Sequence, residues 1–167
     1  TPEISTTERL RTYRKTYVAM LISSTLSLIA SLVLSIDALK LAAEPSGPLS
    51  CNINSVLSCG TVAKSWQSQL LGFPNSFIGL MTEPVVITVA IAGIGLVAFP
   101  RWFMRVAHVV YGLGLVFALW LLSQSFFVIN ALCPWCLLVT ASTITVFSTI
   151  SRIVSLENTW NFSPERH

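Results

Sequence analysis

Four apolar stretches, each long enough to cross a bilayer as a helix, dictate what this chain can fold into. They cover approximately residues 17–39, 77–99, 106–129 and 132–150. Crossing the hydrocarbon takes about 20 apolar residues in helical form, and with no water present each backbone group must be paired within its own helix. Of the 167 residues, 53% are hydrophobic and 10% charged, so lipid is the solvent for most of the chain. The expected fold is all-α and polytopic. A four-transmembrane-helix bundle occupies 17–151, with an extracytoplasmic loop at 40–76 and cytosolic segments at 1–16 and 152–167.

Orientation follows from positive charge, because Lys and Arg gather on cytoplasmic loops during insertion. Arg9, Arg11, Arg14 and Lys15 precede the first span, Arg101 and Arg105 join the second to the third, and Arg152 and Arg166 follow the fourth. Only Lys40 and Lys64 lie on the other side. Both termini are therefore expected in the cytosol, and the polar N-terminal segment reads as a cytosolic anchor, since it lacks the apolar core of a secretion signal. The net charge of +3 is a topology signal and requires no nucleic-acid partner. All four cysteines, Cys51, Cys59, Cys133 and Cys136, then face the extracytoplasmic side, where disulfides persist.

The loop opens with Glu44-Pro45-Ser46-Gly47-Pro48, which breaks any helix. From Thr61 to Leu71, Val62, Trp66, Leu70 and Leu71 recur at helical spacing, which predicts a short amphipathic helix lying over the bundle. Trp66 suits the membrane interface, and Gly72-Phe73-Pro74 ends that helix before the second span begins near Asn75. The chain has no internal repeat.

The motif Cys133-Pro134-Trp135-Cys136 carries the chemistry most directly. Residues three apart share a helix face, and Pro134 suits the first helical position, which makes Cys133 the N-cap, with its sulfur among unpaired amides. Such a setting favours thiolate and hence thiol–disulfide exchange. Two static disulfides or one four-cysteine zinc site would use the same residues.

The run Cys51-Asn-Ile-Asn-Ser-Val-Leu-Ser-Cys59, then Trp66, Asn75-Ser76-Phe77-Ile78-Gly79, and Cys133-Pro-Trp-Cys136, resembles the vitamin K epoxide reductase family, most closely its bacterial members. The resemblance implies a four-helix bundle around a quinone. Cys133 and Cys136 would be the active pair, with Cys136 nearest the quinone and Cys133 its resolving partner. Cys51 and Cys59 would be a shuttle pair, Cys59 bridging to Cys133 and Cys51 meeting an external thiol protein. Asn75 would hydrogen-bond a quinone carbonyl. Thr140 stands where vertebrate members carry a tyrosine. Many bacterial members carry a fused thioredoxin-like domain; this chain has none, which implies a separate thioredoxin-like partner of the kind that oxidises secreted proteins. The acceptor stays open among menaquinone, ubiquinone and vitamin K, and epoxide reduction stays open as an activity. In the four-span disulfide-bond protein B type the Cys-x-x-Cys pair lies in the first external loop, and the order here is the reverse. A scaffold stapled by two disulfides is the non-enzymatic alternative.

Phe73, Phe77, Phe126 and Trp135 are candidate walls of an apolar quinone pocket. Asp37 and Glu83 are ionisable groups in predicted spans, where such groups are costly and often functional. Asp37 is expected to be an interfacial, solvated carboxylate, and Glu83 is a candidate proton relay. Asn75 also suits the N-cap of the second span. His108, near the cytoplasmic end of the third span, is expected at the interface and outside the chemistry. Gly93, Gly95, Gly112 and Gly114 permit close approach of helices.

Overall fold

The computed structural model describes residues 6–49, 51–157 and 159. Arg166, the first five residues of the N-terminal segment and most of the C-terminal tail lie outside them. Among the described residues, four helices are long and apolar enough to cross a membrane: α1 (Thr6–Ala43), α3 (Ser76–Ile94), α4 (Arg101–Gln124, continued through a π-helical turn, Ser125–Ile129) and α5 (Pro134–Leu156). A short α2 (Cys59–Ala63) and a 3-10 turn (Trp66–Gln69) lie between α1 and α3.

At 1.5 Å per residue the 38 residues of α1 measure about 57 Å. That exceeds a hydrocarbon core of about 30 Å, so the helix runs past the apolar stretch at both ends and includes the basic residues of the 6–16 segment. Small hydroxyls on α1 form a stripe at 24, 27, 31 and 35, all serine and all buried. This stripe faces α3. Ser35 donates to Ser76 at 2.9 Å, Ser27 donates to Glu83 at 2.8 Å, and a Cβ on Gly79 would collide with the Ser31 side chain. Small residues let helix backbones approach in lipid, where no hydrophobic force drives them together. Large apolar side chains such as Leu113, Val116 and Phe127 point outward, as they must when the solvent is lipid.

Two packed clusters close the ends of the bundle. Tyr17, Met20, Val86, Ala90, Met104, Val146, Ile150 and Ile153 fill one end; Leu49, Cys51, Cys59, Val62, Ala131 and Cys133 cap the other. Gly93 fits against the ring of Tyr17 and Gly112 touches Phe147, whereas a Cβ on Gly114 would meet nothing within 4 Å. Gly95 caps the end of α3.

The helix expected over 61–71 is in fact two pieces. Ser58 caps α2 early, its Oγ accepting from the Thr61 amide at 3.2 Å. The chain then turns at Lys64 and Ser65 into the 3-10 segment, where Ser68 Oγ donates back to the Ala63 carbonyl at 2.7 Å. Trp66 sits exposed on this segment, packed edge-on against Trp120 with ring centroids 6.3 Å apart. Gly72 ends the segment in the left-handed region, φ +83°, which glycine adopts without strain.

Candidate active site

Asn52 and Asn54 shape the loop that carries the first cysteine pair. Asn54 Oδ1 accepts from the amides of Val56 and Leu57, at 2.9 and 2.8 Å, and Asn52 Oδ1 accepts from the Gly60 amide at 2.9 Å and from Ser58 Oγ at 3.1 Å. Asx turns of this kind let a side chain replace backbone partners in a tight bend. The bend brings Cys51 and Cys59 together in a disulfide, Cα to Cα 5.6 Å, with both residues buried.

The second pair is delivered by the end of α4. Its π-helical turn and Asn130, held in the left-handed region at φ 54°, redirect the chain into a short extended run before α5. That run pairs with the 51–59 loop like two parallel strands: the Ser58 amide donates to the Leu132 carbonyl at 3.0 Å, and the Leu132 amide donates to the Val56 carbonyl at 2.7 Å. The clasp places the residue after Ser58 beside the residue after Leu132. Cys133 Sγ lies 3.0 Å from Cys59 Sγ.

Cys133 and Cys136 carry free thiols. Cys133 is the N-cap of α5 with Pro134 in the first turn, as the sequence predicts. Cys133 precedes the span, and its thiol is held below the usual cysteine range. The hydrogen bond from Cys136 does most of this and the amides of Cys136 and Trp135 add to it, against the opposing effects of burial and the charge of Asp37. A lowered thiol is the more reactive partner in exchange.

Cys136 opens onto a cavity of about 280 Å³ between the helices. Cys133, Asn75, Thr140, Glu83 and Tyr111 also line it. Asn75 occupies the N-cap position of α3 as expected, but its side chain makes no capping bond; its Nδ2 donates across the loop to the Gln67 carbonyl at 2.7 Å. Its Oδ1 is buried without a partner. A buried amide oxygen left unpaired costs free energy, so the wall carries an acceptor that a ligand hydroxyl would satisfy. Thr140 turns its hydroxyl back onto the Cys136 carbonyl, 2.9 Å away, which occupies its only hydrogen as a donor.

Glu83 lies eight residues after Asn75 on α3, about 12 Å deeper along the helix axis. It is buried, accepting from Ser27 Oγ at 2.8 Å and from the Tyr111 hydroxyl at 3.3 Å. The four aromatic candidates do not line the cavity. Phe73 and Phe77 stack on each other with centroids 6.4 Å apart. The π-helical turn rotates Phe126 outward beside Phe127, and Trp135 packs on the cysteine cluster. Phe117 is an aromatic that does line it.

Asp37 corrects an expectation as well. It is buried, not solvated, and its Oδ2 lies 3.6 Å from Cys51 Sγ. It reaches the sulfur because α1 continues to Ala43 and the loop then folds back over its last turns. His108 hydrogen-bonds Ser151 at 2.9 Å and stacks on Phe147, on α4 and α5 and apart from the cysteines.

A disulfide in contact with a free dithiol, at one end of a bundle of apolar helices long enough to cross a membrane, fits a membrane oxidoreductase with a disulfide-forming cysteine pair. The sequence model of the Vitamin K epoxide reductase family matches residues 18–151, most of the chain, and the protein belongs to that family. No curated protein matches the chain.

Proposed function

We propose that the protein is a thiol:quinone oxidoreductase. Electrons pass from a separate extracytoplasmic thioredoxin-like protein through Cys51 and Cys59 to Cys133 and Cys136, and then to a membrane quinone, which supports disulfide-bond formation. The observation that carries this reading is the 3.0 Å approach of Cys133 Sγ to Cys59 Sγ, at the wall of the cavity that Cys136 lines. The positive charge before α1, between α3 and α4 and at Arg152 supports cytosolic termini and extracytoplasmic cysteines.

Cys51 is buried while the neighbouring loop residues 52–56 are exposed, so the loop lifts for exchange with a partner. The partner's thiolate bonds to Cys51 and Cys59 leaves as a thiolate; the partner's second thiolate then takes back its own sulfur and releases Cys51. Cys59 next attacks Cys133 of the oxidised pair, and Cys136 leaves. Attack by Cys51 on Cys59 re-forms the shuttle disulfide and frees Cys133. The structure, with the shuttle closed and the second pair free, corresponds to the end of this sequence.

A quinone held in the cavity would supply an acceptor for two electrons and two protons. The fit rests on the wall itself, whose surface is largely apolar and into which Asn75 brings an unpaired amide oxygen. Asn75 keeps one Nδ2 hydrogen for a carbonyl and its unpaired Oδ1 for a hydroxyl, so it can hold both oxidised and reduced rings.

The test is optical. Purified protein in detergent, supplied with a small dithiol or a reduced thioredoxin-like protein, is expected to form quinol with ubiquinone or menaquinone. No reduction with either acceptor would overturn the reading. Cys51→Ala is expected to spare dithiol-driven reduction more than reduction driven by the protein partner, because the dithiol can reach the active pair without the shuttle. Equal losses with both donors would remove Cys51 from the partner's path.

A further inference from the structure

Re-forming the shuttle disulfide poses a proton problem. For Cys51 to attack Cys59 in the Cys59–Cys133 bond, the Cys51 thiol must lose its proton, since the thiolate is the nucleophile. Cys51 is only 5% exposed and Cys59 and Cys133 only 2% exposed, so in the closed loop the proton goes to a protein group. Asp37, itself 5% exposed, has its Oδ2 3.6 Å from Cys51 Sγ, within reach of a thiol hydrogen bond. The nearby ionisable groups Lys40 and Glu44 are exposed.

We propose that Asp37 is the general base of this resolving step. Its carboxylate accepts the Cys51 proton as the Cys51–Cys59 bond forms and the Cys59–Cys133 bond breaks, with Cys133 departing as a thiolate. One disulfide replaces another, so no outside oxidant or reductant is needed. Once the departing Cys136 has taken up a proton, the negative charge passes from Asp37 before the step to Cys133 after it. This economy matters because two buried charges of the same sign would oppose each other strongly. When a partner later expels Cys51, the same carboxyl returns the proton to the leaving sulfur. Asp37 touches a reacting atom at both moments, and ionisable residues inside spans are uncommon without such a role.

The proposal rests on the relay described above, and its test reads the cysteines directly instead of quinol. The protein is supplied with a reduced thioredoxin-like protein and a quinone, quenched in acid during turnover, alkylated, and mapped for disulfides by mass spectrometry without reduction. Cys51→Ala is the control for the relay: it removes the resolving thiol and is expected to trap the Cys59–Cys133 bond. If that bond is not trapped, the relay itself fails and the proposal fails with it. If it is trapped, Asp37→Asn is expected to accumulate the same bond while keeping the resting Cys51–Cys59 disulfide, with resolution slowed about 10²-fold, the usual worth of a positioned base. Asp37→Glu is expected to restore much of the rate. Asp37→Ser, smaller and still able to hydrogen-bond sulfur, carries the same expectation should the amide variant not fold. Wild-type rates in these variants, or slowed turnover with no build-up of the Cys59–Cys133 bond, would overturn the assignment of Asp37.

Discussion

Cys136→Ala is expected to abolish quinone reduction, by a factor on the order of 10³ or more, because it removes one of the two sulfurs that must join as the electrons leave. Cys133 cannot close a disulfide alone, and its thiol has no other free cysteine beside it. The fold is expected to survive. Cys136 sits in the first turn of α5, packed on the edge of the cysteine cluster and lining the cavity, and the clasp between Leu132 and the 51–59 loop is made by backbone groups that the substitution leaves in place. Helical content and the Cys51–Cys59 disulfide should therefore match those of the unsubstituted protein while quinol formation, followed optically, falls to background. Turnover that persists in this variant would place the terminal electron transfer elsewhere and leave Cys133 and Cys136 without their assigned roles. Cys133→Ala makes a sharper comparison, since it also removes the sulfur of the second pair that lies against Cys59.

The spans were legible because the requirement for an unbroken apolar helix is local to each stretch. Cys133 as the N-cap of α5 followed from Pro134 for the same local reason. The cysteine roles needed more than spacing, since four cysteines on one side of a membrane are compatible with staples, zinc or exchange, and it is the family resemblance that points to exchange. What sequence missed was pairing between distant segments. Nothing local in Val56 or Leu132 announces that their backbones meet, yet that meeting brings the two cysteine pairs together. Asn75 has the right residue type for a helix cap, and a carbonyl eight positions upstream, at Gln67, takes its amide instead. Asp37 lies near the end of its span, where solvation is the reasonable expectation, until the returning loop buries it. The aromatic candidates failed through direction: proximity in sequence to the cysteines does not say whether a ring faces the bundle or the lipid. One signal was available and unused. Serine at 24, 27, 31 and 35 follows the helical period and marks the face of α1 that meets α3.

That close helix contact sets the second large effect. Gly93→Val is expected to lower stability by about 3 kcal/mol, since overpacking a filled contact forces side chains off their rotamers or backbones apart. The position allows little relief. A Cβ at Gly93 would fall within the ring of Tyr17, which is fully buried, and that ring belongs to the cluster joining α1, α3, α4 and α5 at one end of the bundle. Pushing α3 away from α1 there would also strain the register farther along, where Ser31 sits against Gly79 and Ser27 holds Glu83 at the cavity wall. Denaturant unfolding in mixed micelles measures the loss. Tyr17→Leu in the same chain should recover part of it, giving the non-additive cycle expected of residues in contact. Gly114→Ala supplies the contrast: its Cβ would meet nothing within 4 Å, so stability should not change. Equal losses at Gly93 and Gly114 would mean that the effect does not come from the fit between α3 and Tyr17.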